Sequence, residues 1–158
     1  MTFSQAFNAL FYYVTPFWFV MIVFPNWNIT KKVMSSFITL IPLCGFYIYY
    51  LLITTDIASL TSAFSLQLSE YVKLFSQEGG ALGVTVHFVA MDFFVGRWIY
   101  LQGQEKNIWT KHSLILCLSF GPSGLLSHII TAYFFDKNNN SDDDDSNLEE
   151  AKTDAAVS

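Results

Sequence analysis

The chain has 158 residues, of which 53 % are hydrophobic, 18 % aromatic and only 13 % charged, and its mean hydropathy is +0.38. This is the composition of a membrane protein. The formal net charge of -5 comes from the C-terminal end of the sequence, because residues 136–158 hold eight acidic side chains and only two lysines. The remaining residues have a net charge of +1. The sequence has no phosphate-binding loop, nucleophile elbow or basic nucleic-acid-binding face, which excludes the functions that depend on them.

The first part of the chain predicts two membrane helices, over residues 6–24 and 33–53, with Pro16 inside the first and Pro42 interrupting the second. Buried proline is tolerated in membrane helices when neighbours satisfy the freed carbonyls. The connection 25–32, PNWNITKK, is short, polar and basic, and its tryptophan suits the headgroup layer. Because no basic leader or cleavage site accompanies the first apolar run, we expect it to stay as a membrane helix.

Residues 54–80 predict an amphipathic helix, because apolar side chains recur there at steps of three and four among polar ones. This helix is too polar to span a bilayer, so we expect it to lie on the membrane surface or to cap the other helices. Gly79 and Gly80 are expected to separate it from the third membrane helix.

The third predicted membrane helix, residues 81–101, carries His87, Asp92 and Arg97 within an apolar run. A carboxylate near the middle of a membrane helix costs about 2.5 to 3.5 kcal/mol on insertion scales, so it is expected to face protein or a wet cavity and to have a function. His87 and Asp92 fall on nearly opposite faces, both with small or polar neighbours. We therefore expect this helix at the centre of a four-helix bundle.

The fourth predicted helix covers residues 111–134 and pairs antiparallel with the third through the short connection 102–110. Small and polar side chains form one stripe along it, the composition that lets membrane helices approach closely: Cys117, Gly121, Gly124, His128 and Thr131. Counting from the connection places Asp92 level with Gly121, and His87 about one turn from His128. The two histidines and the carboxylate are thus expected to converge.

Basic side chains concentrate in the connections 25–32 and 102–110 and their flanks, so the positive-inside rule places both on the cytoplasmic or stromal side and both termini on the other. The membrane is expected to be a plasma or thylakoid membrane. We divide the chain into a transmembrane domain, residues 1–135, and a disordered acidic tail, residues 136–158.

Residues 87–131 resemble the abscisic-acid-deficient-four-like membrane family, whose plant members are required for neoxanthin synthesis, and residues 25–42 resemble the same family's first connection and second helix. The shared features are a proline-asparagine turn with paired lysines, a His-x4-Asp helix, a basic-His helix start and a GPxG-x3-His helix. The resemblance covers residues 5–134. Its position-by-position matches are Asn26, Lys31, Lys32, His87, Asp92, His112, Pro122, Gly124 and His128.

This resemblance implies four membrane helices and a part in converting the epoxide violaxanthin to the allene neoxanthin. Since no plastid-targeting extension is visible, we expect a bacterial, cyanobacterial-type member. Under this hypothesis Asp92, His87 and His128 are the catalytic candidates, as acids or bases. The structural alternatives are an interhelical tether for Asp92 and ordinary core roles for the histidines.

Lys111, His112 and Arg97 are the candidates for substrate binding, at the polar ring end of a carotenoid. For Arg97 a structural role, with its charge snorkelling to the interface, is the alternative. No metal site is expected, because the Glu-x-x-His motifs of four-helix di-iron proteins are missing, and no cofactor is expected either.

Two functions are favoured from sequence: a cofactor-free isomerase of an epoxy-carotenoid, and a non-catalytic membrane protein that binds carotenoid or assists a photosynthetic complex. A third, a small transporter or channel, is disfavoured because the two halves show no inverted repeat. The expected partners are membrane lipid, a carotenoid, and a membrane protein or a second copy of the chain. Nucleic acid is not expected as a partner.

Overall fold

The computed structural model describes residues 2–54 and 67–137, and all regular structure in these ranges is helical, without a strand. The helices are α1 (Phe3–Val23), α2 (Asn28–Ser35), a 3-10 turn (Phe37–Thr39), α3 (Ile41–Thr54), α4 (Leu68–Phe75), α5 (Glu78–Lys106), α6 (Lys111–Phe120) and α7 (residues 122–137). The predicted all-α class is confirmed for this part of the chain. The predicted acidic tail beyond residue 137 lies outside the described residues.

Two helices, α1 and α5, are long and apolar enough to cross a membrane. The consecutive segments Asn28–Ser35 and Phe37–Ile53 pass the same test together, although they are bent by 72°. The described ranges therefore contain two candidate crossings, or three if the bent pair is one.

Helix α1 begins at a capping box, in which the hydroxyl of Thr2 accepts from Gln5 N at 3.2 Å and the Gln5 side chain accepts from Thr2 N at 3.0 Å. One stripe of the helix is buried, at three- and four-residue steps from Ala6 to Met21. The Trp18 ring in this stripe lies where a side chain on Gly96 would stand. A glycine at position 96 therefore lets α1 and α5 pack closely.

Helices α2 and α3 are separated at Ser36, whose backbone is extended (φ -89°, ψ 145°). Arg97 of α5 reaches this break: its Nη2 donates to the Ser35 carbonyl at 3.0 Å and its guanidinium lies 4.2 Å from the centre of the Phe37 ring. Only 5 % of Arg97 is exposed. Arg97 therefore lies within the protein, where its guanidinium donates to a carbonyl that the interrupted helix leaves without a partner.

Helix α5 packs against α1, α2, α3, α4 and α6, which confirms its predicted central position. It begins at Glu78, three residues before the predicted start, and the turn that precedes it lies at Ser76 and Gln77 instead of at the two glycines. Gly80 is needed inside the first turn, because the Leu74 carbonyl of α4 occupies the place of a side chain. Of the predicted amphipathic helix, only α4 is described, and residues 55–66 lie outside the described ranges.

Helices α6 and α7 form an antiparallel hairpin. Ser113 and Ser127 are joined through their hydroxyls at 3.2 Å, and His112 Nε2 lies 3.0 Å from Thr131 Oγ1. At the open end of the hairpin, Lys106 Nζ lies 2.7 Å from the Asp136 carboxylate. Residue 136 has therefore returned to the end of α5 from which α6 departs.

The prediction of one helix over residues 111–134 is wrong, because the chain reverses at Gly121. This glycine has a positive φ of 44° and ends α6, and Pro122 then occupies the first position of α7, where no amide hydrogen is required. With 10 residues, α6 extends about 15 Å, half of the hydrocarbon thickness. A bundle of four crossing helices is accordingly not confirmed.

Candidate functional site

Asp92 lies half way along α5 and faces the turn of the hairpin. A Cβ built on Gly121 would stand 2.5 Å from the Asp92 Oδ1, so the carboxylate rests directly on the glycine backbone. The thiol of Cys117 donates to the backbone carbonyl of Asp92 at 3.5 Å. No donor within residues 2–54 and 67–137 bonds the carboxylate itself. The predicted level of Asp92 with Gly121 is thus confirmed, and its carboxylate is unpaired there.

His128 is completely buried, with its ring at 5.4 Å and 89° to Trp98 and its Nε2 at 2.6 Å from Gln102 Oε1. Because this amide oxygen can only accept, Nε2 carries the hydrogen. The buried Nδ1 then has an unshared lone pair with no partner in the described structure. His128 therefore joins α7 to α5 through a single strong bond.

His112 sits near the open end of the hairpin, stacked on Trp109 with ring centres 5.0 Å apart. Thr131 uses its hydroxyl hydrogen on the Ser127 carbonyl at 2.9 Å, so its oxygen accepts from His112 Nε2. As in His128, the buried Nδ1 has no partner among the described residues. Both imidazoles are thus held by Nε2 and keep a free acceptor nitrogen.

His87 is separated from this region. Its ring is exposed and contacts Tyr47 of α3 at 5.5 Å. The α5 partners of His128 are Trp98 and Gln102, about 16 Å or more further along the helix axis at 1.5 Å per residue. The predicted convergence of His87, His128 and Asp92 is wrong, because the reversal at Gly121 carries His128 back toward the end of α5.

The sequence did not reveal a cleft of about 920 Å³ at the end of the bundle where both basic connections meet. Among the described residues its lining consists of residues 23–27, 103–104 and 107–111 together with Lys31, without an acidic side chain. Of the predicted substrate-binding residues, Lys111 lines this cleft, whereas Arg97 and His112 do not. The signal that points to it in sequence is the repeated use of Asn, Trp and Lys in both connections.

Metal binding has no ready ligand set within the described ranges, where no three His, Cys, Asp or Glu side chains are grouped closely enough to hold an ion. The two cysteines are free thiols, with Cys44 exposed and Cys117 buried. The chemistry available at the hairpin is therefore that of the unpaired Asp92 carboxyl group, the buried imidazole of His128, the half-buried imidazole of His112, the Cys117 thiol and several hydroxyls.

Comparison with known proteins decides the family. The family model described as ABA DEFICIENT 4-like matches residues 5–128, from the start of α1 to His128. The chain belongs to the ABA DEFICIENT 4-like family. Its similarity to the protein ABA DEFICIENT 4, chloroplastic, from Arabidopsis thaliana is 38 % identity over 123 residues, which is 75 % of this chain and 56 % of the relative.

The chain thus spans a little over half the length of that curated relative. No solved structure matches this ABA DEFICIENT 4-like chain. The range matched by the family includes Asp92, Gly121 and the first limb of the hairpin, so the features that distinguish the fold belong to the family region.

Proposed function

We propose that this ABA DEFICIENT 4-like protein is an integral membrane protein of xanthophyll metabolism, which converts or helps to convert an epoxy-carotenoid such as violaxanthin to an allenic product. The family match over residues 5–128 is the observation that carries the proposal. The unpaired carboxyl group of Asp92 at the middle of an apolar helix supports it, because ionisable groups at this depth are expensive and usually functional.

In the proposed topology the chain crosses the membrane three times, through α1, the bent α2–α3 pair and α5. The α6–α7 hairpin then enters from the side of the two basic connections and returns to it. The bonds between the two limbs and the contact of Lys106 with Asp136 support this arrangement. By the positive-inside rule this side is cytoplasmic or stromal. This replaces our sequence-based proposal that both termini face away from the connections.

The proposed reaction is an isomerisation that needs no cofactor, with Asp92 as its acid and base. The protonated carboxyl gives its hydrogen to the epoxide oxygen, the carbon–oxygen bond next to the polyene breaks, and the oxygen remains on the ring as a hydroxyl. The neighbouring polyene carbon loses its hydrogen to the second carboxyl oxygen. The electron pair of that carbon–hydrogen bond forms the new cumulated double bond, and Asp92 ends protonated as it began.

A carotenoid would reach Asp92 from the lipid. The surface around the turn of the hairpin is apolar and exposed, with 71 % of Phe120 and about half of Met91 accessible. His87 lies exposed beside Tyr47 on another face of α5, where it is available to contact the polyene but not the reacting ring. In this arrangement His128 acts as a positioning residue that holds α7 against α5.

The second candidate is a non-catalytic protein that binds carotenoid or assists a partner enzyme. The observation that favours it is that no imidazole stands beside Asp92, so a paired acid and base are missing. On this hypothesis the carboxyl group stabilises the hairpin turn and the apolar surface receives pigment.

The test is expression of the chain in a host that makes violaxanthin, followed by chromatography of the pigments. A new allenic product that depends on the chain supports the isomerase. If the chain accumulates in the membrane and violaxanthin remains unchanged, the isomerase proposal is overturned. Co-purification of unchanged violaxanthin with the protein then supports the binding function.

A further inference from the structure

The cleft at the loop end of the bundle is built from two distant parts of the chain. One wall is the connection after α1 with Lys31 of α2, and the other is the end of α5 with the connection to Lys111. The walls are tied together, because the hydroxyl of Tyr100 on α5 donates to the Pro25 carbonyl at 2.6 Å. The cleft therefore depends on the packing of these two segments against each other.

The second wall is held in one conformation by its own backbone. Asn107 ends α5 in the left-handed region, with a φ of 55°, and Ile108 N donates to the Gly103 carbonyl at 3.0 Å. Ile108 and Thr110 are buried, and Thr110 fills the space beside Gly103. Because these contacts are already made, binding in the cleft requires little ordering of the chain.

The described lining of the cleft is positively charged. Lys31 and Lys111 both line it, and no acidic side chain within residues 2–54 and 67–137 does. The nearby Lys106 is different, since it is neutralised by Asp136 at 2.7 Å. Two lysines from separate segments that line one cleft, with no acidic side chain in the described lining, favour an anionic ligand.

The position of the cleft is that of a membrane interface. It lies where α1 and α5 both end, and it is flanked by Trp27 and Trp109, which are 50 % and 67 % exposed. Tryptophan at the ends of membrane helices prefers the headgroup level. The anion most abundant at this level is the headgroup of an acidic lipid, and basic pockets between membrane helices bind such groups.

We propose that this cleft binds the anionic headgroup of a membrane lipid, with Lys31 and Lys111 on its phosphate or sulfonate group. The side-chain amides of Asn26 and Asn107, which also line the cleft, supply neutral donors to the remaining oxygens. The acyl chains extend into the bilayer along the exposed apolar surface of α1 that ends at Val23 and Phe24. This site is independent of the reaction proposed at Asp92.

The experiment uses the full chain in detergent micelles supplemented with either dioleoyl-phosphatidylglycerol or dioleoyl-phosphatidylcholine, and measures the midpoint of thermal unfolding. We expect the anionic lipid to raise the midpoint and the zwitterionic lipid to leave it unchanged. The variant Lys31→Gln/Lys111→Gln should need at least about tenfold more anionic lipid for the same protection, at about 1 kcal/mol per lysine. Its own midpoint without lipid shows that it is folded.

The matched control is Lys32→Gln/Lys73→Gln, which removes the same charge from residues that do not line the cleft. It should respond to the anionic lipid like the unmodified chain. Equal loss of protection in both double variants would show general attraction to charge and overturn the site. Equal protection by soluble glycerol phosphate at the same concentration would overturn the assignment to a lipid.

Discussion

The carboxylate of Asp92 lies against the backbone of Gly121, at the point where the chain reverses between α6 and α7. This contact joins the only acidic side chain in the middle of α5 to the one glycine of the described residues with a positive φ. Because Gly121 has no side chain, the carboxylate can lie against the turn, and substitutions at both residues test this contact.

Replacing Gly121 should open the hairpin. Alanine at this position adds a Cβ at 2.5 Å from the Asp92 Oδ1 and is strained at φ 44°. We expect Gly121→Ala to lose about 1–3 kcal/mol from backbone strain alone. The control is Gly83→Ala on α5, where nothing lies within 4 Å and alanine favours the helix. Thermal unfolding in detergent should separate the two variants, and equal midpoints would contradict the hairpin turn.

Replacing the carboxyl group of Asp92 by an amide should greatly slow the proposed reaction. Asn has nearly the same shape but cannot exchange a proton, so Asp92→Asn should lower the rate of product formation about 10²-fold or more while the protein remains folded. The control is Thr85→Val on the same helix, since the Thr85 hydroxyl bonds only the Ala81 carbonyl of its own helix, at 2.9 Å. Pigment chromatography measures both, and full activity in Asp92→Asn would remove the carboxyl group from the mechanism.

The bond between Gln102 and His128 should contribute to stability. The variant Gln102→Leu leaves both nitrogens of a fully buried imidazole without a partner, at a cost of about 1–3 kcal/mol. Gln104→Leu is the comparison, because this side chain lies two residues further along α5 and lines the open cleft. A similar unfolding midpoint for the two variants would mean that the hydrogen bond makes no net contribution to the free energy of unfolding.

Arg97 should stabilise the break between α2 and α3. Its replacement in Arg97→Gln removes a charged donor from the Ser35 carbonyl and a cation from the Phe37 ring, so we expect a loss of about 2 kcal/mol or more. Lys32→Gln removes an equal charge from an exposed position and should change the unfolding midpoint little. If both variants unfold alike, Arg97 does not hold the break.

The hairpin also predicts which positions share a side of the membrane. In a chain whose two cysteines are replaced, single cysteines at Asn107 and Lys137 should react with an impermeant maleimide from the same side. A cysteine at Gln77, before α5, should react from the other side. Labelling of the Lys137 position together with the Gln77 position would show that residues 111–137 cross the bilayer.

The sequence predicted the elements that depend on composition and spacing. Apolar length identified α1 and α5, and the family was recognised from the order of short motifs and then confirmed. The level of Asp92 with Gly121 followed from counting residues along two antiparallel segments, which needs only the helical rise. These features are encoded locally.

The reversal at Gly121 was not predicted, because the same residues fit two readings. GPSG inside an apolar run is compatible with a kinked crossing helix and with a tight turn, and the difference lies in the φ that Gly121 adopts once its limbs pack. That packing depends on pairs such as Ser113 with Ser127, neither of which was in the stripe predicted for one continuous helix. The wrong convergence of His87 and His128 follows entirely from this one choice.

The break at Ser36 was missed for a related reason. The donor at this break, Arg97, is 62 positions from the accepting residue Ser35 in the chain, so no local pattern links the two. Sequence reasoning placed the interruption of the second helix at Pro42, whereas the structure accommodates that proline near the start of α3.

The shortness of the hairpin limbs affects how the protein is made. With 10 residues, α6 is too short to be retained by the insertion machinery as a membrane span. The hydroxyls and imidazoles between α6 and α7 are polar, so transfer of the hairpin into lipid without a protein neighbour would be unfavourable. In the proposed topology we therefore expect the hairpin to enter the bilayer after α5 and to place its polar side against that helix. We expect assembly to follow the order of the chain, so that a misplaced α5 would also misplace α6 and α7.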